Sequence, residues 1–335
     1  MAVLVGTHPD FAEHLAGSRH PEAPARLEAV LDGIRDCPAV DAVIPFAPEG
    51  ASRVDLERVH PPTLLDELER FCLAGGGRID ADTLATVGSW AAAVRAAGAG
   101  IDAAARLERG EADAAFLVMR PPGHHALAAR PMGFCLLNNI AVTAAHLADR
   151  GERVLIVDWD AHHGNGTQDI FYNDGRVSYV SLHQWPLYPG TGRLEERGAG
   201  DGEGATLNLP MPPGADGDAY RAAIDEVLVP LAAAFAPTWL LLSAGFDGHR
   251  ADPLTDLNLS AGDYADLTGR VAALVPPGRR IAFLEGGYDL HALATSAGAS
   301  VAALAGETWL PEPRTVGRVG DHVVAAAKQA LRLNE

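Results

Sequence analysis

The chain has 335 residues, of which 48% are hydrophobic and 21% charged, and this ordinary globular composition excludes a mainly disordered or fibrous protein. Its 44 acidic and 26 basic residues give a formal net charge of −18, which argues against a general binder of nucleic acid or of anionic membranes. The charge is compatible with a cationic substrate, although surplus carboxylates also serve solubility alone.

The cysteines Cys37, Cys72 and Cys135 include no C-x-x-C pair, so neither a disulfide framework nor a cysteine-rich zinc site is expected. The N-terminal residues lack the basic region of a signal peptide, and no stretch approaches the roughly 20 apolar residues of a membrane span. We therefore expect a cytoplasmic protein without a membrane segment.

Short apolar runs alternate with helical patterns along the chain. In chain order, the predicted strands are Val3–Val5, Ala115–Val118, Val154–Val157, Val177–Ser181, Trp239–Ser243 and Ile281–Leu284. The predicted helices are Pro24–Arg35, Pro61–Leu73, Ser89–Arg109, Asn139–Asp149, Ala219–Phe235, Ala261–Val275 and, at the C-terminus, Asp321–Leu333. This alternation is typical of an α/β fold whose parallel sheet is covered by helices on both faces.

No linker-like or repeated tract divides the chain, so we expect a single domain over residues 1–335, with Tyr188–Gly217 as a long Gly/Pro-rich connection. In open parallel sheets, ligands bind beyond the carboxyl ends of the strands. Polar residues follow four predicted strands at that position: Arg120–His125, Asp158–Thr167, Ala244–Asp247 and Glu285–Tyr288.

The Asp160-Ala-His162 sequence is a candidate metal site. Residues two apart in an extended chain point the same way, so this carboxylate and imidazole can face one point, with Asp247 as the obvious third ligand. Such a nitrogen and oxygen donor set suits catalytic zinc. An isolated Asp-x-His pair is more often a solvated loop pair, but the strand-end position and the neighbouring Asp158 and His163 favour the metal.

The tandem His124 and His125 can line the same cavity as a base and a charged partner, although a lone histidine is more often structural. Asp158 could hold one of the two rings.

Tyr288 follows two glycines and could donate a hydrogen bond to a substrate oxygen, although such a tyrosine is more often a packing residue. The chain has no Walker A, H-E-x-x-H or G-x-S-x-G motif, and the glycines of Gly198–Gly204 are weak evidence for a dinucleotide site.

The assembled motifs resemble the zinc-dependent histone deacetylase family. That family includes bacterial class II-like amidohydrolases and acetylpolyamine amidohydrolases, and it has the three-layer arginase–deacetylase fold. The resemblance covers nearly the whole chain through these segments: His20–Leu27, Arg120–His125, Gly133–Cys135, Asn138–Asn139, Asp158–Thr167, Ser181–His183, Tyr188–Gly192, Gly245–Leu254 and Glu285–Leu290.

The resemblance implies one zinc ion per chain, bound by Asp160, His162 and Asp247. The residues that it assigns to catalysis are His124, His125, Asp158, Asn165 and Tyr288. His125 would be the general base and then the general acid, with His124 as its electrostatic partner. Asp158 would hold His124, and Asn165 would back His125, as in the class II-like branch. Tyr288 would polarise the scissile carbonyl.

A structural potassium ion is also implied near the zinc. Its ligands would be the Asp158 carboxylate and the backbone carbonyls of Asp160, His162, Ser181 and Leu182. Six residues are assigned to substrate binding. Phe134 and Tyr188 would form the channel walls, Leu254 would lie at the rim, and Asp82 would be a rim acid. Gly133 and His163 complete the set. Asp80 and the pair Glu195–Glu196 are further candidates for the rim acid. Arg26 matches the arginine beside the family's acetate exit channel.

We expect amide hydrolysis of an acylated amine, in first place an Nε-acyl-lysine of a protein or peptide. The alternatives are an acetylated polyamine as substrate, a non-catalytic acyl-lysine binding module and an arginase-like ureohydrolase. Arginase-type enzymes hold two manganese ions and need a further carboxylate where this chain has Gly164, so one zinc ion is favoured. A homo-oligomer is compatible with the sequence, and no nucleic acid or membrane partner is expected.

Overall fold

A computed structural model describes residues 1–17 and 20–332 of the chain. Its strands are β1 Val3–Gly6, β2 Val43–Phe46, β3 Gly77–Arg78, β4 Leu84–Ala85, β5 Ala114–Leu117, β6 Val154–Asp158, β7 Val177–Gln184, β8 Thr206–Met211, β9 Trp239–Ala244 and β10 Arg280–Leu284. Eight of them form one sheet in the order β2-β1-β5-β10-β9-β6-β7-β8, and each neighbouring pair is parallel. The short strands β3 and β4 form a separate antiparallel hairpin.

Helices cover both faces of this sheet. They are α1 Ala25–Asp36, α2 Arg53–Glu57, α3 Pro62–Leu73, α4 Ser89–Glu108, α5 Asn139–Ala148, α6 Asn165–Phe171, α7 Gly217–Ala223, α8 Val229–Phe235, α9 Ala261–Ala272, α10 Leu290–Leu304 and α11 Asp321–Arg332. Helices α1, α9 and α10 pack together in one layer, and α3, α4 and α5 pack in another. This arrangement confirms the predicted three-layer α/β fold. No helix of the described ranges has an apolar stretch that could cross a membrane.

The strand order brings the predicted site residues together. The strands β5, β10, β9 and β6 are consecutive neighbours at the centre of the sheet, and each is buried along its length. Because neighbouring strands are parallel, their carboxyl ends lie at one edge, and the four polar segments that follow them converge there.

Several elements differ from the sequence-based prediction. The segment expected to be one long connection contains β8, and the strand β2 was not predicted. Both lie at the edges of the sheet and contain a proline, Pro45 and Pro210, which edge strands tolerate. The helix predicted over Ala219–Phe235 is interrupted by a π-helical turn at Ile224–Leu228. The predicted end of the last helix, Leu333, lies outside the described residues.

A buried ion network joins the N-terminal segment to the central strands. Glu22 is fully buried, and its carboxylate accepts hydrogen bonds from the guanidinium groups of Arg120 and Arg26. Arg120 also donates to the backbone carbonyls of Phe11 and His14, at 2.9 and 3.0 Å. Burial raises the pKa of Glu22, but the charge and hydrogen bonds of Arg120 outweigh burial and lower it to about 2.

We predict that Glu22→Gln lowers the free energy of unfolding by about 3–5 kcal/mol at neutral pH, because two buried guanidinium groups lose their anion. Since the pKa of Glu22 falls from 4.5 to about 2 on folding, its stabilisation is complete above pH 4.5 and is lost towards pH 2. Urea denaturation should therefore give a difference between wild type and variant that shrinks as the pH falls below 4.5.

The exposed Glu28, six residues further along the chain in α1, provides the control, and Glu28→Gln should change stability by less than about 0.5 kcal/mol. A difference between wild type and Glu22→Gln that stays constant from pH 7 to about pH 3 would contradict a depressed pKa.

Candidate metal and acyl-amide site

Three side chains meet at one point beyond β6 and β9. The Nδ1 atom of His162 lies 3.2 Å from Oδ1 of Asp160 and 2.8 Å from Oδ2 of Asp247, and one ligand atom of each lies within 4.8 Å of the others. The two carboxylates are 1% and 0% exposed. Backbone N–H groups of His162 and Ala161 donate to Asp160 and Asp247, at 2.9 and 2.8 Å, which fixes the orientation of both carboxylates.

This donor set fits a zinc ion. Ligand atoms at about 2.0–2.2 Å from tetrahedral zinc are separated by about 3.3–3.6 Å. Here Nδ1 of His162 lies 3.2 and 2.8 Å from the two carboxylate oxygens, somewhat closer than a bound zinc ion would hold them. The cluster also favours a cation electrostatically. Burial lowers the pKa of His162, but its hydrogen bonds to Asp160 and Asp247 outweigh burial and raise it to about 10. A metal ion would supply the positive charge that a proton otherwise brings to the two carboxylates.

Gly164 leaves no room for the additional carboxylate of a two-metal site. A Cβ atom at this position would lie 2.3 Å from Oδ2 of Asp158 and 2.5 Å from the hydroxyl of Tyr179. A side chain at this position would therefore displace a buried hydrogen-bonded pair. The steric constraint agrees with the expectation of one metal ion rather than two.

The two histidines of the tandem have different partners. Nδ1 of His124 lies 3.1 Å from Oδ2 of Asp158, whereas Nδ1 of His125 lies 2.8 Å from Oδ1 of Asn165. Because the Asn165 oxygen only accepts, it holds a proton on Nδ1 of His125 and leaves the lone pair on Nε2. Burial and the positive charge of His124 hold the pKa of His125 well below its usual value. His125 is therefore a neutral imidazole that can accept a proton.

Asp158 links the histidine pair to the neighbouring strand. Its Oδ2 accepts a hydrogen bond from the hydroxyl of Tyr179 at 3.0 Å, and its Oδ1 accepts one from the backbone N–H of Asp160 at 3.1 Å. In the sheet register Asp158 pairs with Ser181, so the carboxylate lies beside the segment Ser181–Leu182 of β7. Of the residues expected to bind potassium, Asp158, Ser181 and Leu182 thus lie on two adjacent strands, and Asp160 and His162 lie in the loop that follows β6.

Tyr288 faces the same cavity from the loop after β10. Its backbone N–H donates to Oδ2 of Asp252 at 2.7 Å, and the Arg26 guanidinium lies 5.1 Å from the centre of its ring. Arg26 in turn donates through Nε to the carbonyl of Gly287 at 2.7 Å. Burial raises the pKa of Tyr288 well above its usual value, so the hydroxyl stays protonated and can donate.

The converging residues line a cavity of about 250 Å³. Residues of the predicted site that line it are Asp82, His124, His125, Gly133, Phe134, His162, Tyr188, Leu254 and Tyr288. The rings of Phe134 and Tyr288 pack edge-on with their centres 6.0 Å apart. The rings of Tyr188 and His125 do the same with their centres 5.2 Å apart. Gly133 has a φ of 57°, and a Cβ there would lie 2.5 Å from the His125 ring, so glycine alone fits.

The structure separates the candidate rim acids. Asp82 lines the cavity, whereas Oδ1 of Asp80 accepts the backbone N–H groups of Asp82 and Thr83 and shapes the hairpin turn. The Glu196 carboxylate lies outside the cavity. It accepts hydrogen bonds from the side-chain amide of Gln168 and from the backbone N–H groups of Gly192 and Arg193. Among the candidate rim acids, Asp82 is the one that lines the cavity, and Glu195 lies with Trp185 and Pro210 elsewhere.

The expectation that His163 contacts substrate is wrong. Its Nδ1 lies 2.8 Å from the hydroxyl of Thr191 and its Nε2 lies 3.0 Å from Oε1 of Gln168, and the ring does not line the cavity. The ring of His163 is buried beside the start of α6, whereas that of His162 lies at the ligand cluster. Instead, His163 ties the loop that carries Tyr188 to helix α6.

Glu285 and Tyr179 are two buried site residues whose roles the sequence does not predict. Glu285 is fully buried, and its Oε2 accepts the backbone N–H groups of Gly123 and His124 at 2.7 and 3.3 Å. Burial, only partly offset by His124, raises the pKa of Glu285 to about 7. A charged residue at the end of an apolar strand was the available signal for Glu285. Tyr179 lies inside a strand and carried no such signal.

Comparisons with known proteins agree with this geometry. Residues 20–304 match the histone deacetylase domain, and the chain belongs to the histone deacetylase family. A probable deacetylase of Archaeoglobus fulgidus is 42% identical over 321 residues, covering 91% of this chain and 89% of its own length. A histone deacetylase-like amidohydrolase of Pseudomonas aeruginosa is 38% identical, covering 80% and 72%.

Histone deacetylase 10 of Oryza sativa, named as chloroplastic, is 39% identical and covers 94% of this chain and 75% of its own length. The crystal structure of the HDA15 HD domain aligns with a TM-score of 0.91 and 34% identity, covering 100% of this chain and 99% of that chain. The predicted family and its arginase–deacetylase fold are confirmed. The cytoplasmic location stays a prediction.

We predict that the purified protein contains about one transition-metal ion per chain and that Asp247→Ala removes it, because a site of three protein ligands loses one of its two carboxylates. Metal analysis after dialysis measures both values. Asp169→Ala, on the exposed side of α6, is the matched control and should keep the metal. Two tightly bound ions per chain would contradict a single-metal site.

Proposed function

We propose that this protein is a zinc-dependent amidohydrolase that removes an acyl group, in first place acetyl, from the Nε-amine of lysine in a protein or peptide. The observation that supports this most is the convergence of the Asp160–His162–Asp247 cluster, the His124–His125 pair and Tyr288 on one narrow cavity. A straight lysine stem matches an entrance with aromatic walls, which leads from the surface to the ligand cluster.

Zinc bound by the cluster would lower the pKa of a water molecule and polarise the amide carbonyl. His125 accepts a proton at Nε2 as the water oxygen attacks the carbonyl carbon. The Asn165 oxygen 2.8 Å from Nδ1 holds the ring in the tautomer that this transfer needs. His125 then returns the proton to the amine nitrogen as the C–N bond breaks, which yields a carboxylate and a free amine.

Tyr288 donates a hydrogen bond to the carbonyl oxygen as negative charge develops on it. The loop that carries Tyr288 is held by Arg26 and by Asp252, through bonds to the carbonyl of Gly287 and the N–H of Tyr288. The tyrosine is therefore oriented before substrate arrives. Arg26 lies directly behind this loop, a position compatible with a role in the exit of the acetate product.

Asp158 keeps His124 oriented and, together with the carbonyls of strand β7, would hold the structural potassium ion implied by the family. The close pairing of Asp158 with Ser181 supports this assignment. A cation at this position would offset part of the negative charge that Asp158 and Asp160 place in a dry environment.

Peptide substrates are favoured over acetylated polyamines by the form of the rim. Tyr188 and Leu254 are 38% and 39% exposed, and the segment between α3 and α4 contains only the short β3–β4 hairpin. An open rim leaves room for a bulky protein substrate. The complete set of ligands, histidines and tyrosine argues against a module that only binds acyl-lysine, and Gly164 argues against a two-metal ureohydrolase.

Tyr288→Phe should lower kcat by about 10²–10³, the loss typical of one oxyanion donor. Steady-state kinetics on an acetyl-lysine peptide and metal analysis of the same preparation measure the effect, and metal content should be unchanged. Tyr188→Phe removes a hydroxyl from the opposite wall and is the control, with little expected change in kcat. Near-normal kcat in a metal-loaded Tyr288→Phe protein would show that Tyr288 serves only in packing.

The net charge of −18 and the acidic rim residue Asp82 should attract cationic substrates. We predict that kcat/KM for acyl-lysine peptides with basic flanks falls as salt rises, because ions screen this attraction, whereas neutral-flanked peptides respond less. A panel with acetylputrescine and acetylspermidine completes the test. If kcat/KM for an acetylpolyamine were tenfold or more above that for every peptide, the substrate would be an acetylated polyamine and not an acyl-lysine.

A further inference from the structure

A second cavity, of about 320 Å³, opens beside the entrance of the first. One wall is a single face of α3, where Leu64, Leu68 and Phe71 follow one another at the spacing that places side chains on the same side of a helix. The other walls are Ile79, at the start of the hairpin turn, and Pro131. These five residues define what we call the α3–hairpin groove.

The groove and the channel are lined by nearby residues of the same two loops. Ile79 precedes the channel residue Asp82 by three positions, and Pro131 precedes the channel residue Gly133 by two. The two loops are also joined directly, because the N–H of Phe134 donates to Oγ1 of Thr83 at 3.2 Å. Since three residues of chain span at most about 10 Å, the groove begins within that distance of the channel entrance.

An extended peptide advances about 3.3 Å per residue, so a side chain about two or three residues from an acyl-lysine in the channel reaches the groove. We propose that the α3–hairpin groove binds an apolar side chain at that distance in the substrate peptide, and so selects substrates by sequence. This inference rests on the proposed acyl-lysine activity. It deepens that activity, because a polyamine has no side chain to place there.

The chemistry of the walls determines which side chain fits. Leucine, phenylalanine, isoleucine and proline line the groove, and only Glu67 and Arg78 add charge at its edge. Arg78 donates to the carbonyl of Ala81 within the hairpin, which keeps its guanidinium with the turn. An apolar substrate side chain would bury surface against these walls, whereas a glycine would bury none there.

The test is a set of acetyl-lysine peptides that carry leucine, phenylalanine, glycine or aspartate at each of the three positions on either side of the acetyl-lysine. With wild-type protein, kcat/KM should be about tenfold higher for leucine or phenylalanine than for glycine at one position about two or three residues away. Ile79→Ser should reduce this preference to threefold or less, and should leave kcat/KM for the all-glycine peptide unchanged.

Leu73→Ser is the matched control, because Leu73 lies on α3 outside the groove and is 66% exposed, and it should keep the full preference. Equal rates across the wild-type peptide panel would overturn the inference, as would an unchanged preference in Ile79→Ser. It would also be overturned if Ile79→Ser altered only the oligomeric state measured by light scattering, since a second copy would then occupy the groove. Loss of the proposed function itself would look different, as no acetyl-lysine peptide would be hydrolysed.

Discussion

Four carboxylates are buried at one edge of a parallel sheet, and the surrounding groups of the site compensate for the cost of burying them. Asp158, Asp160, Asp247 and Glu285 are each 0% or 1% exposed, although a buried anion is costly unless hydrogen bonds and cations surround it. Each accepts at least one backbone N–H from a loop that follows a strand. The loops therefore turn their N–H groups inward, and histidines supply positive charge, to which the proposed metal ion would add.

This constraint explains the asymmetry of the histidine pair. His124 lies between two acids, and their charge outweighs its burial and raises its pKa to about 10, whereas His125 is backed by a neutral amide and stays uncharged. Two adjacent and chemically identical side chains thus acquire different protonation states from partners on two different elements, β6 and α6. The same residue type thus supplies a charged imidazole and a neutral one, and the neutral one is the proposed base.

The sequence was most informative where residue type and position in the fold agree. Asp160 and His162 could be recognised because their spacing and their strand-end position both indicate a shared ligand point. The parallel order of β5, β10, β9 and β6 could not be predicted from local patterns, although it decides that Asp247 and Tyr288 reach the same end of the sheet. His163 was assigned wrongly because its ring is bound by Thr191 and Gln168, partners that the local sequence pattern does not reveal. Glu285 received no role because its partners are backbone groups, which sequence does not distinguish.

The β3–β4 hairpin forms its own two-stranded sheet and pairs with no strand of the main sheet. Inserting residues at its tip would leave the register of every central strand intact, and doubling the length of a flexible loop costs only about 0.6 kcal/mol of closure entropy. The same tip carries the rim acid and one wall of the groove. Natural variation in the length of this hairpin could therefore change which acylated molecules enter the channel, while the buried acids, histidines and tyrosine keep their geometry.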